Sequence, residues 1–411
     1  MMILRLYLGN GVLCESRIKT GWLVIVSGKN QPDILIADDL HTHLYGCLTA
    51  VDIWELGRTV WKYRIERLEA YAARFAAAFG YRPDFARYWV EDHGSELIAS
   101  EWMCKGRHNF EQFEARFGLA IALFPISPAR DDLRVLEAVM HRHALERRRY
   151  VEYRLVYPPS PSKLDLGEYL SGLCSSMARF ASEHGGSFKP RLALSLSRDP
   201  VYAMEQYHHV RNWVEAAPAE LTAFVTGIDF SGYEEAYEAD GLIPIAKRIH
   251  EDNRTNPRRA LALLVHAGET MEDKQTAKAL ARIEAAVAMG AHRIGHATAA
   301  GISFASGSLE EQMQQRIFER LSGPSAPVIE CCISSNMCLA GVGNPSVHPA
   351  RGFMERGLRV CFATDDPGIF GTDASLEAKV AISCVGEKGF ISASVEAAHA
   401  RSEILSGRSD Q

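Results

Sequence analysis

Four short pieces lie far apart along this 411-residue chain, and each holds a side chain that can bind a metal or move a proton. They are His41-Thr42-His43, His266-Ala267-Gly268-Glu269, Gly295-His296 and Asp365-Asp366-Pro367. Three histidines and one carboxylate are enough to hold a catalytic divalent metal that keeps a position open for water. Once four ligands are drawn from this set, an acid, an imidazole and a second carboxylate are left over. Hydrolytic proton transfer needs groups of this kind.

Each piece has a local reason to face a common point. Residues two apart on a strand share a face, so His41 and His43 can aim at one ion. His266 ends the apolar run Leu261 to Val265, and Gly268 permits a tight turn that returns Glu269 over the same mouth. Asp365 and Asp366 follow Arg359 to Thr364 and precede Pro367, so their carboxylates can diverge, one toward metal and one toward substrate. Asp-Asp-Pro is also a common helix start. His296 reads as a base for the metal's water. Glu152 and Arg154, two apart on another strand, read as a buried ion pair. Gly232 and Ser335-Asn336 sit in further loops of the same kind.

The elements that must carry these residues alternate in a regular way. Eight apolar runs are separated by longer helical patterns, the rhythm of parallel strands joined by crossover helices. The runs are Ile34 to His43, Tyr150 to Val156, Arg191 to Ser197, Ala223 to Asp229, Ala262 to His266, Arg293 to His296, Val328 to Cys332 and Arg359 to Thr364. This pattern predicts an α/β fold, a (β/α)8 barrel spanning residues 34–411. The candidate ligands fall at the C-terminal ends of the first, fifth, sixth and eighth runs, where barrel enzymes build their active sites. Residues 1–33 read as a short N-terminal extension that forms a small hairpin. A connection of about a hundred residues, 50–147, follows the first strand and must have structure of its own. Helical spacing covers Arg64 to Phe79 and Leu133 to Arg148. The connection could roof the pocket as a lid, or form a helical layer or subunit contact.

Composition narrows the classes. With 47% hydrophobic residues the chain can bury a large core, and a formal net charge of -6 offers no basic surface for nucleic acid. A small polar molecule is the expected partner, and nothing in the sequence specifies an oligomeric state. Nine cysteines without paired spacing point to a reducing, cytoplasmic setting. The apolar start reads as strand and turn rather than a signal peptide, and no stretch reaches the length of a membrane span.

Taken together, the pieces resemble the adenosine deaminase family, a branch of the metal-dependent amidohydrolases. The resemblance rests on Asp39-Leu40-His41-Thr42-His43-Leu44, Tyr150-Val151-Glu152-Tyr153-Arg154, Gly227-Ile228-Asp229 with Ser231-Gly232, Val265-His266-Ala267-Gly268-Glu269, Arg293-Ile294-Gly295-His296, Ser334-Ser335-Asn336 and Thr364-Asp365-Asp366-Pro367. These run in the family's order over roughly residues 34 to 375. The resemblance implies one zinc ion per chain, held by His41, His43, His266 and Asp365. It implies that Glu269 gives a proton to purine N1, that His296 orients and deprotonates the zinc-bound water, and that Asp366 bonds the attacking oxygen or N7. The Gly232 N–H would meet N3. Two positions depart from the family pattern. Tyr45 stands where an aspartate usually helps hold a ribose hydroxyl, so the substrate contact expected of Tyr45 concerns a sugar. Ala297 stands where glycine usually follows the sixth-strand histidine.

The implied activity is hydrolytic deamination of an adenine-type nucleoside, nucleotide or base. Two other readings compete. One is hydrolysis of a different amide or amidine bond at the same metal centre, and the other is a non-catalytic protein that kept the fold. The Pro-Cys-x-x-Cys element of other zinc deaminases and the His-Glu-x-x-His helix of metalloproteases are both absent from the sequence.

Overall fold

The computed structural model describes residues 4–8, 12–16, 34–124, 130–158, 166–238, 240–272 and 274–406. Leu4–Leu8 and Val12–Ser16 pair as an antiparallel hairpin. The rest of the N-terminal extension, including Trp22 to Val26, lies outside the described residues.

Eight parallel strands form the barrel in chain order: β1 (Asp38–His43), β2 (Tyr150–Val156), β3 (Lys189–Ser195), β4 (Val225–Phe230), β5 (Ala262–Ala267), β6 (Arg293–His296), β7 (Val328–Cys331) and β8 (Val360–Phe362). Each apolar run supplied one of these strands. β1 starts later than its run because Ile34–Ala37 is a lead-in, tied to the body by the Ile36 N–H donating to the Ala374 carbonyl. The ring closes just past β8. The His43 N–H donates to the Asp365 carbonyl at 2.8 Å, and the Asp365 N–H donates to the His41 carbonyl at 2.9 Å.

Helices end where the sequence provides left-handed glycine. Thr276–Ala288 stops at Gly290 (φ +70°), and Ile65–Phe79 stops at Gly80 (φ +77°). Among the described residues, no helix is long and apolar enough to cross a membrane.

The layer inside the barrel is charged rather than apolar. Glu152 and Arg154 both face inward and are buried, but they do not pair with each other, which corrects the sequence expectation. Glu152 binds Arg293 from β6, and Arg154 binds Asp229 from β4 at 2.8 Å and Glu330 from β7. The reason is geometric: same-face residues on one strand stand almost 7 Å apart and run parallel, whereas side chains from other strands converge on the axis.

The long connection carries the helices Ala50–Gly57, Ile65–Phe79, Arg87–Val90, Gly94–Trp102, Phe110–Leu123 and Arg130–Leu145. Its stretch from Cys104 to Phe113 lies on the loops at the C-terminal ends of the strands. The Cys104 N–H donates to the Ile369 carbonyl, and the His108 N–H donates to the Cys338 carbonyl. Phe110 stacks on Tyr233 and Phe113 on Phe370. The loops touched follow β4, β7 and β8, which are loops of the barrel's active mouth.

Candidate active site

Strand ends from opposite sides of the barrel bring the histidines together. His43 Nε2 lies 3.3 Å from His266 Nε2 and 3.4 Å from Asp365 Oδ1, and His41 Nε2 lies 3.4 Å from the same oxygen. A tetrahedral ion with bonds of about 2.0–2.1 Å separates neighbouring ligand atoms by roughly 3.3–3.4 Å. These three edges match ligand spacing around one ion; His41, His266, His296 and Asp365 form one cluster with ligand atoms within 4.8 Å of one another, and His43, Asp365 and Asp366 form a second that shares Asp365. His296 Nε2 stands further out, 3.9 Å from Asp365 Oδ2 and 3.6 Å from Glu269 Oε1. The Nε2 atoms of His41 and His296 and Oδ1 of Asp366 are buried without a hydrogen-bond partner. Buried polar atoms are costly to leave unpaired, so three of them in one cluster fit a site for a cation and its water.

The imidazoles are turned toward that point by carboxylates behind them. His41 Nδ1 meets Glu330 Oε2 at 3.0 Å, and His266 Nδ1 meets Asp229 Oδ1 at 3.2 Å. With the Nδ1 protons engaged there, the Nε2 lone pairs face the ion. Burial presses the His43 pKa down to about 3 and that of His266 to about 4, so both rings are neutral, as metal ligands must be. Burial alone would raise Asp365, yet His41, His296 and His43 hold it well below the usual carboxylate range.

His296 is oriented by a chain of three bonds. The Ala350 N–H donates to His348 Nδ1, which places the His348 proton on Nε2. That proton points at Asn336 Oδ1, 2.9 Å away, and the Asn336 amide Nδ2 lies 2.9 Å from His296 Nδ1. Because the amide donates to Nδ1, neutral His296 carries its own proton on Nε2. Burial keeps His296 and His348 deprotonated, His348 down to about 4. His296 therefore faces the site as a hydrogen-bond donor. This differs from the base expected from sequence.

Glu269 is gripped through its backbone. Glu234 accepts the N–H groups of Gly268, Glu269 and Thr270 at 2.8, 2.7 and 3.0 Å. Burial, then the charges of Asp365 and Glu234, push the Glu269 carboxyl well above its usual range. This shift favours the protonated acid. Asp366 is raised in the same way by burial and by Asp365 and Glu269, and a bound cation would draw it back down.

Gly232 (φ +83°) is exposed, with open space where a Cβ would stand. Tyr45 does not join the cluster. Its hydroxyl donates to Asp132 Oδ1 at 2.7 Å, and Tyr169 donates to the other oxygen of the same carboxylate at 2.9 Å. Tyr45 is fully buried in this network, which corrects its assignment to substrate. Ala297, in place of the usual glycine, is accommodated in the left-handed region (φ +51°), beside His296 (φ +68°); Asp365 is also left-handed (φ +60°). Such backbone is costly for residues with a Cβ and clusters at functional sites.

Sequence reading gave no role to Glu330, Asp229, Glu234 or His348. Glu330 and Asp229 carried a signal, each being a lone acid in an otherwise apolar strand. Glu234 and His348 lie in loops whose partners only the fold defines.

Solved structures share this architecture. The N6-methyl-AMP deaminase of Arabidopsis aligns with a TM-score of 0.63 and 19% identity, covering 90% of this chain and 97% of its own. The adenine deaminase of Arthrobacter aurescens aligns with a TM-score of 0.60 and 17% identity, over 92% and 98%. At these identities the likeness speaks for the fold alone. The adenosine deaminase of Escherichia coli strain SE11 is 28% identical over 184 residues, which is 43% of this chain and 47% of that protein. That match spans about half of the relative. The enzyme of E. coli O7:K1 strain IAI39 is 25% identical over 363 residues, 85% of this chain and 87% of its own. The profile of the adenosine deaminase family matches residues 92–400, about three quarters of the sequence. On that match, with the histidine–aspartate cluster at the mouth of the barrel, this chain belongs to the adenosine deaminase family.

Proposed function

We propose that this protein is a zinc-dependent aminohydrolase that removes the exocyclic amine of an adenine-type nucleoside, nucleotide or base. The observation that carries this reading is the buried convergence of His41, His43, His266 and Asp365 beside the buried carboxyl of Glu269. Zinc, when bound, supplies a nucleophile at neutral pH by lowering the pKa of water to about 7.

The chain's own residues do the rest. Glu269 gives its proton to ring N1, so the ring accepts the electrons displaced as oxygen adds at C6. His296 holds the incoming oxygen by donating from Nε2. Asp366, whose Oδ1 is unpartnered, takes the water's proton and returns it to the departing amine. A C–O bond forms, the C–N bond breaks, ammonia leaves, and the hydroxyl proton on C6 returns to Glu269 as the carbonyl forms. Acid and base must work in opposite protonation states within one pocket, and a bound cation would separate them by drawing Asp366 back to its carboxylate. The Gly232 N–H meets N3. Buried Glu234 keeps Glu269 in register with the ring.

With Tyr45 engaged by Asp132, the usual carboxylate for a ribose hydroxyl is missing, so the free base belongs among the test substrates. The eight cysteines of the described residues are all free and buried, which suits a cytoplasmic protein acting on a small molecule. To test the reading, zinc-loaded protein is incubated with adenosine, deoxyadenosine, adenine, AMP, N6-methyl-AMP and aminopterins while amine release and ultraviolet absorption are followed. Turnover of one of these supports deamination. Silence across the panel with hydrolysis of another amide would replace it with the amidohydrolase reading.

A further inference from the structure

A second group of metal-binding side chains lies away from the histidine–aspartate centre, and the deamination chemistry makes no use of it. Cys104 and His108 come from the connection after β1, where Gly106 (φ +83°) turns the chain back so that residues four apart face one another. Cys338 comes from the helix Ile333–Cys338 after β7, two residues beyond Asn336. Their Sγ, Nδ1 and Sγ atoms all lie within 4.8 Å of one another. Cys338 Sγ is 3.7 Å from His108 Nδ1. For an ion with about 2.3 Å bonds to sulfur and 2.0–2.1 Å bonds to nitrogen, the tetrahedral edge is roughly 3.6 Å. The Gly106 carbonyl accepts hydrogen bonds from Cys338 Sγ and His108 Nδ1, each at 3.0 Å, and holds both side chains toward one point.

From this geometry we propose that Cys104, His108 and Cys338 form a second metal site for a thiophilic divalent cation such as zinc, with the fourth position left to solvent. Two thiolates and one imidazole are a donor set that binds zinc through three side chains and leaves one tetrahedral position open. On uptake the two thiols lose their protons to solvent, and the His108 proton resides on Nε2 so that Nδ1 can bind. The His108 ring is already favoured in its neutral form by burial. The cation joins two parts of the chain that otherwise meet here only through the Cys104–Ile369 and His108–Cys338 backbone bonds and side-chain contacts. It pins the roof of the barrel mouth to the segment that carries Asn336.

Cobalt distinguishes the two sites without any assay of turnover, because only the second contains thiolate. Apo-protein, kept reduced, is titrated with Co2+ alone. The expected result is two equivalents bound, one of which brings a sulfur-to-cobalt charge-transfer band in the near ultraviolet. Cys104→Ser and, separately, His108→Gln should each weaken that equivalent at least 100-fold and leave the other in place. His108→Gln keeps both thiols, so it decides the matter if Cys104→Ser does not fold. A single equivalent without the band, a band that survives both variants, or a Cys104–Cys338 disulfide with no cation taken up after reduction would overturn the proposal. Because the readout is absorption, the outcome stands apart from whether the protein deaminates purines.

Discussion

Glu269 is held by its neighbours rather than by its own side chain, so its chemistry can be removed without disturbing its place. Glu269→Gln keeps the volume and leaves the three N–H bonds to Glu234 untouched. The variant should hold its metal and lose turnover by about 100-fold or more, the usual contribution of a positioned acid. Metal analysis beside steady-state kinetics checks both parts, and unchanged turnover removes Glu269 as the donor. His296 depends on Asn336 and His348 for its tautomer. Asn336→Ala should lower kcat by about 10–100-fold, as loss of an orienting partner does. His348→Ala should cost a similar factor, and the double variant no more than either alone, since all three residues act as one unit. Independent, multiplying losses would show that the chain of bonds does not set the tautomer. At this scale the ligands were legible because each stands at the end of an apolar run. The direction of proton donation at His296 was not, since it is decided by Ala350 and His348, more than fifty residues downstream.

Among the elements, the helix Ile333–Cys338 shows how one buried side chain can place a whole segment. Glu377, on the helix Ala374–Ser406, accepts the Ser334 N–H at 3.1 Å and also binds the Ser334 hydroxyl. Burial raises its pKa from 4.5 to about 7, against the pull of those hydrogen bonds. The sign follows from linkage: the folded protein binds this proton more tightly than the unfolded chain does. The group's stabilisation is complete below pH 4.5 and is lost as pH rises through about 7. Glu377→Gln has no proton to lose. Relative to wild type, the variant should gain roughly 2–3 kcal/mol between pH 5 and pH 8. Denaturant unfolding of both proteins at the two pH values measures this, and a difference that does not change with pH would refute it. Strand positions were readable from Val, Ile and Leu runs, and the helix Ile65–Phe79 from its spacing. Strand limits were less readable, because residues such as Ile34–Ala37 are apolar yet lie outside the ladder.

For the whole molecule, the barrel could be inferred by counting its strands, and its charged interior could not. Arg154, Arg293, Glu152, Glu330 and Asp229 satisfy one another only once strands distant in sequence close into a ring. The helical connection after β1 gave its length and tryptophans to the sequence reading, while its seat on the loops after β4, β7 and β8 belongs to the fold.

The backbone bonds from His43 to Asp365 and from Asp365 to His41 give the metal ligands a second duty. The cylinder is stitched shut along this line, so the proposed cation would act as a clasp on that seam, with His41 and His43 on one lip and Asp365 on the other. Removing it leaves the seam held by a short eighth strand and by imidazoles and a carboxylate that no longer share a cation. Hydrogen exchange should then speed up in the peptides spanning residues 38–44 and 359–366 well before it does in the strands across the ring, and re-adding zinc should reverse it. Uniform acceleration around the ring would mean that the clasp is not local.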